Sequence, residues 1–303
     1  MTFALRRRRR IHTETAGDRF LLAVFAVIAF LFAAACLFPF LLVLISSLTD
    51  EGTLIREGYS LFPSKWSINA YQGILSSPTV PNAYMVTVTI TLGGTVLSLL
   101  TTGLCAYALS GSMLKYRNVI AFVFYFTMLF SGGLVPSYIL ISNYLNLRNS
   151  LWVYILPVLV NPWNMFLLRN FFSTIPDSFR ESAYLDGASE ATVFFRIVIP
   201  LSTPGLATIA LFYALGYWNT WFESLLYMDN ENLHTLQYLI MKIMRNINAA
   251  KMIARIAAIP LPTLPAETIR FATAVLTIGP IIFLYPFLQR YFVSGLKVGG
   301  IKG

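Results

Sequence analysis

The side chains best suited to binding or to transmitting force fall in two short stretches. Between 169 and 204 stands the densest run of charge between apolar segments: Asp177, Arg180, Glu181, Asp186, Glu190 and Arg196. Acids and arginines grouped in this way make charge-assisted contacts with another surface. Further on, Trp218, Asn219, Trp221, Phe222 and Glu223 lie within six residues. Sugar rings present flat apolar faces to aromatic side chains, and hydroxyls to amides or carboxylates, so this set suits a carbohydrate. Tryptophan at a membrane boundary is equally an interface anchor, and the residues alone leave both readings open. If helical, Asn219 and Glu223 share one face at a spacing of four. A carboxylate beside hydrocarbon is costly enough to mark a functional position.

Bond-making chemistry has no comparable support. His12 and His234, expected in the N-terminal tail and an outer loop, are joined by no cluster of Asp or Glu. Cys36 and Cys105 each fall in an apolar stretch, where a buried free thiol is the default. Two such cysteines imply neither a disulfide framework nor a metal site. The chain has no G-x-x-x-x-G-K-[ST] loop, so it cannot bind and split a nucleotide in that manner.

The elements that position these residues follow from composition. The 303 residues are 57% hydrophobic and 12% charged, against about 25% charged in soluble domains. A bilayer crossing takes roughly 17–25 mostly apolar residues. Six stretches qualify, near 20–46, 84–109, 119–141, 151–168, 206–228 and 269–288. Backbone groups in hydrocarbon must bond within their own segment, which favours helices. The short alternating segments of an outer-membrane barrel are absent. Arg6–Arg10 and Ala33-Ala34-Ala35-Cys36 imitate a cleavable leader, but apolar residues continue through Leu37, Phe38, Phe40 and Leu41. A leader's apolar region is only about 7–15 residues long, so the first stretch is expected to be retained.

With the N-terminus inside, 14 of the 22 basic residues lie on the cytoplasmic side and 8 outside. That bias predicts both termini in the cytoplasm. It also accounts for the net charge of +9 without a nucleic acid. Two outer loops are long, 47–83 and 229–268, the latter holding Pro260, Pro262 and Pro265; one inner loop, 169–204, is long as well. Loops of that length are usually functional. In the inner one, Ser178-Phe179-Arg180-Glu181 fits a capping box after Pro176. Gly187 is placed to end the short helix, and Pro200 and Pro204 to delimit the return to the membrane.

Thr87, Thr91, Thr95, Ser98 and Thr102 put five hydroxyls on one face of the second span. They either pack helices together or line a path. Gly132, Gly133, Pro136, Pro157 and Pro162 are break or kink positions in spans three and four. Lys242, Arg245, Lys251 and Arg255 form no single basic stripe if Met241 to Ile256 is helical. A basic entrance favours acidic sugars, Glu223 argues the other way, and substrate charge stays open.

One segment resembles a known family closely. Glu181-Ser182-Ala183, three residues, Gly187, nine residues and Ile197-Val198-Ile199-Pro200 follow the EAA loop of ABC importer permeases, E-A-A, three residues, G, nine residues, I-x-L-P. Ser182 and Ile199 are the departures. Asp186-Gly187-Ala188 through Pro200-Leu201 and Pro204 resembles the carbohydrate branch, the MalG/LplC-type permeases. So do Trp218-Asn219-Thr220-Trp221, Gln289 to Val293 with Gly295-Leu296, and the Gly299 to Gly303 end.

The resemblance implies an all-α type I importer permease with six transmembrane helices. It implies a basic segment 1–19, a permease domain 20–292 with its coupling loop at 173–204, and a cytoplasmic tail 293–303. Glu181, Ser182, Ala183, Asp186, Gly187, Ala188 and Pro200 are then the ATPase-coupling residues. Ala183, Gly187 and Ala188 would allow close approach, while Arg180, Glu181 and Asp186 would make charged contacts. The implied partners are a second permease, two ATPase subunits that bind ATP and Mg, and an extracytoplasmic solute-binding protein. The substrate would be an oligosaccharide, with an acidic uronate such as alginate or oligogalacturonide one candidate, carried across the inner membrane. The alternatives are an ABC permease for a non-sugar solute and an ion-coupled secondary transporter; for the latter, Glu223 is the one mid-membrane relay candidate.

Overall fold

The structure is a computed structural model describing residues 16–111, 114–257 and 267–279. Arg6–Arg10, His12, the prolines at 260, 262 and 265, and the C-terminal motifs from Gln289 onward lie outside the described residues. Among the described residues the chain is helical, and the only β feature is an isolated bridge between Thr49 and Trp66.

Helix α1 (Ala16–Ser47) runs 32 residues without interruption, carrying Pro39 inside it. Its length, roughly 48 Å at 1.5 Å per residue, exceeds a bilayer core. Its apolar stretch is not buried within the chain, and Cys36 is exposed rather than buried, a correction to the expectation from sequence. Lone apolar helices of this kind are covered by lipid or by another chain, neither of which a sequence pattern reveals.

Short helices α2 (Glu51–Glu57) and α3 (Asn69–Leu75) fill the first long loop. Helix α4 (Thr79–Ser110) is the second unbroken crossing. The third stretch divides into α5 (Arg117–Leu129) and α6 (Leu134–Ile139), which continues as a π-turn over Leu140–Tyr144. The two parts bend by 113° at a break containing Gly133. The fourth stretch is α7 (Trp152–Ile155), a 3-10 turn over Leu156–Val158 and α8 (Pro162–Ser173). Asn161 caps α8 by accepting from the Asn164 N–H at 3.2 Å, which replaces a backbone bond lost at the break.

Helix α9 (Asp177–Leu185) follows, then α10 (Glu190–Val193), which continues through a π segment Phe194–Val198 into α11 (Ile199–Leu201). A bend of 85° leads into α12 (Thr203–Trp218). The fifth stretch therefore does not run unbroken to 228: it stops at Trp218 and resumes as α13 (Phe222–Tyr227). The second long outer loop contains a 22-residue helix, α14 (Leu236–Ala257). Among the described residues a final helical run, α15, covers 267–279, and the sixth predicted stretch continues beyond the described residues. Among the described residues two helices are long and apolar enough to cross a membrane unbroken, and up to four crossings result if each bent pair counts as one.

The centre of the bundle is α4, packed against α8 and α12. Ile90, Ala106, Leu109, Met165, Leu168, Phe172, Phe194 and Ile209 form its interior. In lipid, water does not drive helices together, so close packing and interhelical hydrogen bonds decide the geometry. Both are present here. Ser98 Oγ and Tyr217 Oη lie 2.7 Å apart, and Thr102 Oγ1 and Tyr213 Oη 2.6 Å apart. Gly94 lets the Tyr217 ring approach, since a Cβ there would sit 2.7 Å from the ring. The hydroxyl face of α4 thus packs helices at these two positions, and Thr87 Oγ1 accepts from the Leu236 N–H at 2.9 Å. Thr91 and Thr95 hydroxyls have no partner among the described residues.

Glu51 fixes α15 to α2. Its carboxylate accepts from the backbone N–H of Glu267 and Thr268 at 3.0 and 2.8 Å, and from Thr268 Oγ1 at 2.7 Å. A carboxylate that accepts from backbone N–H groups makes the stronger, charge-assisted kind of hydrogen bond.

Candidate functional site

Two neighbourhoods hold the residues singled out above. In the first, α9 begins at Asp177 behind Pro176. Ser178 therefore lies inside the first turn and no capping box forms. Proline fixes the approach and Asp177 supplies the negative charge, so the Ser–Glu pair is not needed as a cap. At the other end the chain closes as a Schellman motif: the Gly187 N–H donates to the Tyr184 carbonyl at 3.0 Å, and the Ala188 N–H to the Ala183 carbonyl at 2.9 Å. Gly187 sits at φ +79°, the left-handed conformation that this motif requires and that glycine takes without penalty. Ser189 then caps α10, accepting from the Thr192 N–H at 3.3 Å.

Exposure sorts the predicted coupling residues. Glu181, Ser182, Asp186, Gly187 and Pro200 are exposed, whereas Ala183 and Ala188 are half-buried and pack against the chain's own core. Arg180 departs most from the sequence reading. It is 8% exposed, its guanidinium lies 5.3 Å over the Tyr107 ring, and Nη2 donates to Ser110 Oγ at 3.2 Å and the Phe172 carbonyl at 3.4 Å. It is an internal strut, not a surface contact. Leu185 is 89% exposed and Phe179 50%. An apolar residue at the tip of a polar helix was the available signal for Leu185. Beside α9 lies a cleft of about 390 Å³ whose polar lining includes Tyr107, Asp177, Arg180, Glu181, Tyr184 and Glu190.

The second neighbourhood lies at the end of α12. Asn219 and Glu223 do not share a helical face, because the helix breaks between them. Asn219 Nδ2 donates to its own Leu215 carbonyl at 2.8 Å, and Oδ1 accepts from Gln237 Nε2 at 3.1 Å. The Trp218 ring is buried, and its Nε1 donates to the Thr277 carbonyl at 3.0 Å. Trp221 and Phe222 are 40% and 39% exposed, edge to face at 5.5 Å.

Of the five residues predicted here, Glu223 alone lines the adjoining cleft of about 270 Å³. Its companions are Tyr154, Asn161, Asn164, Tyr213, Tyr217 and Thr220, with Val158, Phe212 and Gly216 completing the wall. Sequence reasoning missed these tyrosines and asparagines; the spacing of Tyr213 and Tyr217 by four, with Thr220 beyond, was the signal. Tyr154 is anchored by Ser224 Oγ at 2.7 Å and the Leu233 carbonyl at 2.8 Å. Tyr213 Oη also accepts from the Asn161 N–H at 2.9 Å. Aromatic faces, amides, a hydroxyl and one carboxylate converge on a concave site, the composition that binds a polyol ring. Among its lining residues no cation is present.

A bundle with broken spans, a charged helix–glycine–helix loop at one end of its central helix and a polar cleft in its interior defines a membrane permease component. The chain belongs to the carbohydrate ABC transporter permeases. It is 37% identical over 272 residues to protein LplC of Bacillus subtilis, covering 89% of this chain and 90% of that one. It is 36% identical to the polygalacturonan/rhamnogalacturonan transport system permease protein YtcP of the same organism, covering 90% and 95%. A chain from the crystal structure of a bacterial ABC transporter involved in the import of the acidic polysaccharide alginate superposes with a TM-score of 0.80 at 30% identity, covering 92% of this chain and 98% of that one. No family model matches the chain.

Proposed function

We propose that this permease forms one half of the path by which a uronate-containing oligosaccharide crosses the inner membrane, driven by a partner ATPase. The observation that carries the coupling part is the loop itself. Its first helix is stopped at Gly187, its second is started by Ser189, and Glu181, Ser182 and Asp186 face outward. That shape suits a rigid knob seated in another protein. Six spans, with both termini and residues 169–204 in the cytoplasm, agree with the 14-to-8 distribution of basic residues. The division into a basic segment 1–19, a permease domain 20–292 and a tail 293–303 goes with this reading.

The assembly comprises a second permease, two ATPases binding ATP and Mg, and an extracytoplasmic solute-binding protein. Family membership supports it, and so does the uncovered apolar surface of α1. The acidic character of the sugar is supported by the polygalacturonan and alginate systems to which the chain is similar. Within the cleft, Glu223 accepts sugar hydroxyls. Trp221, Phe222 and Asn219 border the approach, while Trp218 supports the fold.

Uptake by proteoliposomes holding the full complex, with binding protein, tests this. Labelled oligogalacturonide should enter with ATP, unaffected by an uncoupler, and a neutral oligosaccharide of equal length should compete poorly. Entry abolished by the uncoupler would contradict the ATP-driven mechanism. Preferred entry of the neutral sugar would contradict the uronate assignment.

A further inference from the structure

We infer that Glu190 is a positioning residue that fastens both halves of the coupling loop to α4, so that displacement of α9 moves α4 and, through it, the α12 residues that line the sugar cleft. This rests on the coupling role proposed above for residues 173–204. Glu190 stands at the first position of α10. Its Oε2 accepts from Tyr107 Oη at 2.6 Å, and its Oε1 from Tyr184 Oη at 2.8 Å. The three residues belong to α4, α9 and α10, so one carboxylate joins three elements. The Tyr107 bond is short, as when a phenol donates to a carboxylate, and the Tyr184 bond has the ordinary O–H···O length. Burial, with Glu190 contributing, pushes the Tyr184 phenol above its usual range, which keeps it a donor.

Arg180 supplies a second tie from α9 to α4, through the Tyr107 ring and Ser110 Oγ. Tyr107 and Ser110 are one helical turn apart. Further along the same helix, Thr102 and Ser98 bond Tyr213 and Tyr217, which line the cleft. A packed helix moves as a body rather than deforming. A loop held to α4 by a shared carboxylate therefore transmits its motion; a loop free of α4 absorbs it. A carboxylate accepts from one phenol at each oxygen, whereas a glutamine amide keeps one acceptor and can meet the second phenol only as a donor.

The test uses the complete transporter in proteoliposomes, with oligogalacturonide as the probe, and reads sugar moved per ATP hydrolysed. Glu190→Ala should lower that ratio about tenfold, the effect of losing a hydrogen bond to a charged group, while the ATPase still copurifies. Glu190→Gln should give an intermediate ratio. Adding Tyr107→Phe and Tyr184→Phe to Glu190→Ala should lower it no further, since all three act through one network. If Glu190→Ala assembles poorly, the Tyr107→Phe/Tyr184→Phe pair, which keeps both rings, must show the lowered ratio by itself. A wild-type ratio in these variants while Gly187→Val uncouples would overturn the Glu190 assignment alone. Wild-type ratios in Gly187→Val as well would overturn the coupling loop with it. Transport and hydrolysis falling together, at an unchanged ratio, would make Glu190 a structural residue and reject the inference.

Discussion

Glu223 and Trp218 sit five residues apart and have opposite fates, which sets separate tests for them. Glu223 faces the cleft, so Glu223→Ala should weaken sugar-dependent transport roughly 10- to 100-fold through loss of hydrogen bonds to a charged group. Assembly should be unchanged, and transport at the wild-type rate would remove Glu223 from the path. Trp218→Phe should instead lower the thermal stability of the complex by about 1 kcal/mol, the net worth of one buried hydrogen bond, with the sugar concentration dependence unaltered. A shifted concentration dependence would place Trp218 in the binding site. Glu223 was legible because a carboxylate in an apolar run is conspicuous. Tyr154, Asn161 and Asn164 were not, since they reach the cleft from the fourth stretch, more than 50 residues away in sequence. Arg180 misled for a related reason: its charge suggests a surface, and only Tyr107 and Ser110, far back in the chain, reveal its burial.

At the level of elements, the approach of α4 to α12 depends on a glycine placed opposite a tyrosine. A Cβ at Gly94 would meet the Tyr217 ring at 2.7 Å, whereas one at Gly93 meets nothing within 4 Å. Gly94→Ala should therefore destabilise the bundle by about 1–3 kcal/mol, as overpacking does, and lower its unfolding temperature in detergent. Gly93→Ala should be neutral or stabilising by up to about 1 kcal/mol through helix propensity. Equal effects of the two substitutions would contradict the packing described. The apolar runs identified helical material correctly, and Gly187 marked its helix end from sequence alone because few residues tolerate that conformation. Breaks within the runs were less visible. Pro157 and Pro162 announced one, but the stop at Trp218 has no proline, Gly216 lies within α12 before it, and the end is held by Asn219 and Thr220 bonding back to the Leu215 and Gly216 carbonyls. Helix α14 is inconspicuous in the sequence because its polar residues dilute the apolar ones, although its apolar face, with Leu236 and Leu239 buried, follows a helical period.

For the whole molecule, orientation and energy coupling are the remaining commitments. In a background lacking Cys36 and Cys105, cysteine at Asn246 should react with an impermeant reagent in intact spheroplasts, and cysteine at Asn118 should not. Labelling of Asn118 would invert the proposed topology. The central claim is that the 173–204 loop passes the ATPase's motion to the bundle, and substrate-stimulated ATP hydrolysis by the Gly187→Val complex tests it most directly. Valine cannot take φ +79° without strain, so the Schellman closure and the presentation of Glu181 and Asp186 should be lost together. With membrane abundance and pairing to the second permease confirmed as normal, sugar-loaded binding protein should no longer stimulate hydrolysis in proteoliposomes. Stimulation at the wild-type level would contradict the account.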